Sequence, residues 1–282
     1  MIEPSTLTRV DVDNGAVPAG GKLPSRAQRE ARPPHIEFLG LPFCLLTQTD
    51  VIRFILDHVN GPYGYVVTPN AYHVATVHND PAGLMPVYRG ARLSLCDSRI
   101  LRALAKIDGR SLPLVTGSDL VAALLAAWGA GAAANAPRRL LVVGPSRAAE
   151  TALRGAYPDL AVEVMPAPHG LAGDAELRDS VARACVERPW DILLLCVGCP
   201  AQELIAQRIA ALGRTTGIAL CVGAAIDFVI GTSTRAPLWV QKLSLEWAYR
   251  LVREPRRLWR RYLVESPKIL RVFLATRGAR HH

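Results

Sequence analysis

The chain has 282 residues, half of them apolar and a fifth charged, which is ample for one large α/β domain or two small ones. The net charge is +9, and the segment from Arg235 to Arg280 carries all of it, with 12 Lys/Arg against 3 Glu. The N-terminus lacks the apolar core of a signal peptide. The six cysteines stand mostly in apolar runs, which excludes a secreted disulfide scaffold and points to reduced, buried thiols in a cytosolic protein.

Residues 1–34 are polar and aperiodic and read as a disordered tail. Short apolar runs at Ile36–Leu41 and Pro42–Leu46, around Gly40, predict a hairpin. Thr47-Gln-Thr-Asp50 then caps a helix over Val51–Val59. An alternating series follows. Strands are expected at Gly64–Thr68, Arg92–Cys96, Arg139–Val143, Ala161–Met165, Asp191–Val197 and Ile218–Val222. Helices are expected at Ala71–Val77 with a continuation, Arg99–Ile107, Asp119–Trp128, Arg147–Tyr157, Ala175–Glu187 and Gln202–Leu212. This alternation predicts an α/β fold with a mostly parallel sheet and helices on both faces. Nearly all-apolar strands such as Ile192-Leu-Leu-Leu-Cys196 fit a sheet buried on both sides. The uncharged run Leu120–Pro137 is rich in Ala and Gly and reads as a buried helix plus a loop rather than a membrane span. Three parts result: the tail at 1–34, a core at 35–234, and a basic, aromatic helical appendage at 235–282.

Ligands of such sheets bind beyond the carboxyl ends of the strands. Those ends read Thr68-Pro-Asn70, Cys96-Asp97-Ser98, Gly144-Pro-Ser146, Gly198-Cys-Pro-Ala-Gln202-Glu203 and Gly223-Ala-Ala-Ile-Asp227. Gly144 and Gly198 suit phosphate binding through backbone amides at helix starts, although either is equally a simple turn. Asp97 has two readings: an N-cap for the helix at Arg99, or a general base in a cleft. Asp227 is a turn-stabilising residue or an acceptor for a ribose or base. His73 reads as a satisfied, half-buried histidine before a catalytic one. Cys196-Val-Gly-Cys199 has redox-motif spacing, but no second ligand pair follows it, and no His/Cys/Asp spacing suggests a metal site. Neither a G-x-G-x-x-G fingerprint nor a Walker A sequence is present.

Taken together, Thr68-Pro-Asn70, Leu95-Cys-Asp97, Val115-Thr-Gly-Ser-Asp119 and Gly198-Cys-Pro-Ala-Gln-Glu203 resemble the WecG/TagA/CpsF glycosyltransferases. Gly223-Ala-Ala-Ile-Asp-Phe228, Leu245-Glu-Trp-Ala-Tyr-Arg-Leu251, Glu254-Pro-Arg-Arg257 and Arg260-Arg-Tyr262 complete the match, in order. The resemblance implies a single Rossmann-like domain and an inverting, metal-independent sugar transfer with no cofactor. The donor would be a UDP-sugar and the acceptor a sugar on a polyprenyl diphosphate, at the inner face of the cell membrane, in surface polysaccharide synthesis. By the same resemblance Asp97 is the general base, Thr68, Asn70 and Gln202 line its pocket, and Asp227 lies in the nucleotide pocket. Arg250, Arg257 and Arg260 match the family's functional arginines. On one uninterrupted helix they would share a narrow arc, which Pro255 between them would kink or break. Ala201, Ser98 and Leu114 replace the Lys, Gly and Arg that many members carry, and bear on the donor: UDP-glucose, as in exopolysaccharide members, or N-acetylmannosamine and its uronic acid. Homo-oligomerisation is allowed. The competing classes are a nucleic-acid-binding protein with a basic tail and a non-catalytic nucleotide-binding protein. The tail's many leucines fit a lipid interface or core packing better than tracking of a phosphate backbone, so nucleic acid is not expected as a partner.

Overall fold

The computed structural model describes residues 33–130, 138–145, 147–232, 237, 240 and 245–278. Of the expected N-terminal tail, residues 1–32 lie outside the described residues. The chain opens with an antiparallel hairpin, β1 (His35–Phe38) and β2 (Leu41–Cys44). Leu39 and Gly40 both take positive φ, the backbone that lets a two-residue loop match strand twist.

The remaining strands are β3 (Gly64–Val67), β4 (Leu93–Ser94), β5 (Arg138–Gly144), β6 (Leu160–Pro166), β7 (Ile192–Leu195) and β8 (Ile218–Cys221). They form one sheet in the order β4-β3-β8-β7-β5-β6, with every neighbouring pair parallel. All four residues of β7 and of β8 are buried. Successive side chains alternate between two cores. Leu141, Val143, Leu193, Leu195, Ala219 and Cys221 enter one, while Leu140, Val142, Ile192, Leu194, Ile218 and Leu220 enter the other. The apolar strand runs are continuous because both faces are covered.

On the first face pack α2 (Ala71–Asn79), α3 (Pro81–Gly90), α4 (Arg99–Ile107), α7 (Ala175–Val186) and α8 (Ala201–Ala211). On the second pack α1 (Gln48–His58), α5 (Gly117–Ala130), α6 (Ala148–Ala156) and α9 (Ala225–Val229). Thr47 caps α1 in a reciprocal box with Asp50. Helix α5 buries Leu120, Val121, Leu124 and Leu125 in the second core. No described helix is long and apolar enough to cross a membrane.

The C-terminal segment forms α10 (Glu246–Arg253), α11 (Pro255–Trp259), a π-helical turn (Arg260–Glu265) and α12 (Lys268–Gly278). Ile269 and Phe273 of α12 enter the first core, and the Phe273 ring meets Phe38 of the hairpin edge-on. The single helix on which Arg250, Arg257 and Arg260 would share an arc is interrupted. Glu254, before Pro255, leaves helical geometry at φ −132°, ψ 58°, because the proline ring disfavours that conformation in the residue ahead of it.

Two other boundaries differ from the sequence reading. The strand expected at Arg92–Cys96 is a ladder only at Leu93–Ser94, on the sheet edge. Beyond it the chain splits its bonds: Asp97 N–H donates to Pro69 O, and Val115 N–H to Cys96 O. The continuation after Val77 is a separate helix, α3, with Pro81 in its first turn and Asp80 capping it.

Candidate active site

The carboxyl ends of β3, β4, β7 and β8 open on one side of the sheet, and the residues singled out there converge. Thr68 follows β3. Its buried Oγ1 donates to Cys221 O at 2.9 Å, tying the ends of β3 and β8 together. Asn70 caps α2: its side chain accepts from the N–H groups of Tyr72 and His73. In return the Asn70 N–H donates to Nδ1 of His73 at 2.9 Å. Burial, with the positive charge of Arg261 nearby, lowers the His73 pKa to about 3, so the ring is neutral.

Asp97 is not the helix cap. Ser98 holds that position, accepting from Leu101 N–H. The Asp97 carboxylate is left free of the capping role, and burial pushes its pKa up to about 7. The Gly117 N–H, at the start of α5, donates to it and pulls the value down; the charges of Arg250 and Arg261 act the same way, and Glu246 opposes them. The Thr116–Asp119 box shapes this helix start, with Thr116 Oγ1 donating to Asp119 at 2.6 Å and accepting from the Asp119 N–H. A Cβ at Gly117 would lie in ordinary contact with Val222 O and Thr68 Oγ1, at 3.5 and 3.6 Å, which places this helix start against the ends of β3 and β8.

Gln202 lies one residue into α8 and is buried. Its Oε1 accepts from Gly223 N–H at 2.9 Å, and its Nε2 donates to Glu203 Oε1 at 2.8 Å. Glu203 is also buried, its Oε2 has no hydrogen-bond partner among the described residues, and burial raises its pKa to about 7. His73, Cys199 and Glu203 bring one potential ligand atom each to within 4.8 Å of one another. The trio fits a cation poorly. Nδ1 of the neutral His73 is already an acceptor, which leaves its proton on the other nitrogen; burial pushes the Cys199 thiol well up; and Arg261 adds positive charge beside the group.

A protein-family model described as the glycosyl transferase WecG/TagA/CpsF family matches residues 36–282. The chain belongs to this family. A curated relative, the N-acetylglucosaminyldiphosphoundecaprenol N-acetyl-beta-D-mannosaminyltransferase of Bacillus subtilis (strain 168), is 32% identical over 91 residues. That match spans 32% of this chain and 35% of the relative, about a third of each.

The expected residues other than Arg257 can be located in the described structure. Thr68, Asn70, Asp97 and Gln202 stand at adjoining strand ends. Gly198 has φ +80° and open space around it, as a loop glycine facing a ligand would. Gly144 has φ +127°, and a Cβ there would stand 2.7 Å from Cys196 O, so close packing of β5 on β7 already requires glycine. Asp227 sits in α9 near Cys196, whose thiol it helps keep protonated behind the larger effect of burial. Arg250 reaches back from α10 and stacks over Phe228, 5.5 Å from the ring centre. The Arg260 side chain is 76% exposed, with Glu265 at 3.9 Å. The Arg257 side chain lies outside the described residues. Sequence reasoning missed Glu203 as the partner of Gln202, although the Gln-Glu pair was in view, and it missed Arg261.

Proposed function

We propose that this glycosyltransferase moves a sugar from a UDP-sugar onto a hydroxyl of a sugar carried on a polyprenyl diphosphate, with inversion and without a metal. The relative's name, which specifies a diphosphoundecaprenol-linked acceptor, supports the acceptor class. The observation that carries the reading is the position of Asp97: a carboxyl just beyond β4 that accepts from the Gly117 N–H at the start of α5 and has Arg250 and Arg261 nearby, with burial moving its pKa up to about 7. A base poised near neutral pH takes a proton from the attacking hydroxyl most effectively. As that oxygen bonds to the anomeric carbon, the bond to UDP breaks and the diphosphate leaves with the electron pair. Its negative charge is met by the arginines of the C-terminal segment and by strand-end amides, which need no reorganisation. Gln202, fixed at both ends of its amide, lines the cleft without rotating.

In this reading the reaction takes place at the inner face of the membrane, with the C-terminal segment against the lipid. Val252 (81%), Leu274 (67%), Leu263 (56%), Leu270 (52%) and Trp259 (51%) are exposed there among the exposed Arg253, Arg256, Arg260, Arg271 and Arg277. An apolar surface interleaved with cations suits anionic headgroups. Asp97→Asn is expected to cut transfer by roughly 10²–10⁴-fold, the usual worth of a positioned base, while UDP binding measured by calorimetry stays near wild type. Wild-type turnover in that variant, or retained anomeric configuration in the product by NMR, would remove the mechanism.

A further inference from the structure

On one continuous α-helix Arg261 would stand about 20° around the axis from Arg250, and Arg260 about 80° from it. The segment is not one continuous helix. Pro255 ends one helix, and from Arg260 the backbone widens into a π-turn, with Ser266 N–H donating to Arg261 O at 2.8 Å, five residues back. Such turns recur at functional sites. Here the residue that faces the cleft is Arg261. Its guanidinium lies 4.7 Å from the centre of the Tyr72 ring, just past the Asn70 cap. Its Nε is buried and has no hydrogen-bond partner among the described residues. An unpaired buried donor is costly, more so when charged, and a planar guanidinium fork matches phosphate oxygens.

We infer that Arg261, rather than Arg260, is the guanidinium that binds a diphosphate beside Asp97. The inference rests on the glycosyl-transfer reading above. The diphosphate is that of the UDP-sugar or that of the lipid acceptor, and the test separates the two. The charged groups facing Asp97 are Arg250, Arg261 and Glu246, so loss of Arg261 also withdraws a charge that favours the ionised base.

The experiment compares Arg261→Gln with Arg260→Gln on a short-chain, water-soluble polyprenyl-diphosphate sugar and a UDP-sugar, as kcat and KM across pH. Removing one donor aimed at developing charge typically costs about 10²–10³-fold in kcat, and a loss of that order is expected for Arg261→Gln, at least tenfold beyond that of Arg260→Gln, as roughly one charge-assisted contact is worth. The acid limb of its pH profile should move to higher pH, which a purely structural loss would not produce. Weaker UDP binding assigns the contact to the donor. A raised acceptor KM with UDP affinity intact assigns it to the acceptor. If the glutamine variant does not fold, Arg261→Lys carries the test, with the same ordering against Arg260→Lys expected. An equal or larger loss at position 260, or an unmoved acid limb, overturns the inference while the glycosyl-transfer reading stands. A wild-type protein that transfers no sugar overturns both.

Discussion

Asp97 holds a carboxyl in a place where its charge is unwelcome, and the fold bears that cost. In the unfolded chain it titrates near 3.8, and in the folded chain near 7. Between those values the folded state binds the extra proton, so this residue's contribution to stability declines as pH rises through that window. Asp97→Asn removes the penalty. Its Tm is expected to exceed that of wild type above about pH 7, with the gap closing below about pH 4. The size is roughly 2–4 °C for each kcal/mol relieved in a domain of this length. Scanning calorimetry at both pH values checks it, and a lower Tm at high pH would show the carboxylate to be a structural partner instead. At this scale much of the site was legible. Thr68, Asp97 and Gln202 stand at strand ends that the alternating pattern locates. Whether Asp97 or Ser98 capped α4 was not legible, since either residue type caps well and only backbone geometry decides between neighbours. Arg261 was hidden for a related reason: which of two adjacent arginines faces inward depends on helix register, and composition does not record it.

The elements show where pattern reading works and where it stops. Strands buried on both faces announce themselves as apolar runs, and helices between them by capping residues and apolar spacing, so the parallel sheet follows from sequence. Strand β4 is anticipated but its length is not, because beyond Ser94 the chain divides its bonds between Pro69 and Val115, which no local pattern records. The π-turn escapes because bonding to the fifth residue back carries no compositional mark. Two substitutions test the packing. Gly144→Ala would push a methyl group against Cys196 O and force an L-residue to positive φ, and is expected to destabilise by about 1–3 kcal/mol or more in denaturant unfolding. An unchanged midpoint would mean that β5 and β7 have slack. Phe273→Ala removes the ring that joins α12 to the hairpin, with an expected loss of about 3–5 kcal/mol. Because α12 follows directly on the turn bearing Arg261, transfer should fall with it, and full activity in a destabilised variant would uncouple the segment from the site.

For the whole molecule, the charge that composition places at one end belongs to a segment with two faces. One returns Arg250 and Arg261 to the strand ends; the other leaves leucines and arginines outward. Leu270→Asp with Leu274→Asp is expected to weaken flotation with anionic vesicles by at least about tenfold, since two buried apolar side chains are worth roughly 3 kcal/mol or more, while turnover on a short-chain soluble acceptor persists. Tight, salt-sensitive DNA binding without vesicle association would favour the nucleic-acid reading instead. The most direct test of the central claim is the mass of the acceptor after incubation with a panel of UDP-sugars and a short-chain polyprenyl-diphosphate sugar. The expected result is a gain of one sugar residue from a single donor with the wild-type protein and none with Asp97→Asn. No gain from any donor with wild type, or an equal gain with Asp97→Asn, would contradict it.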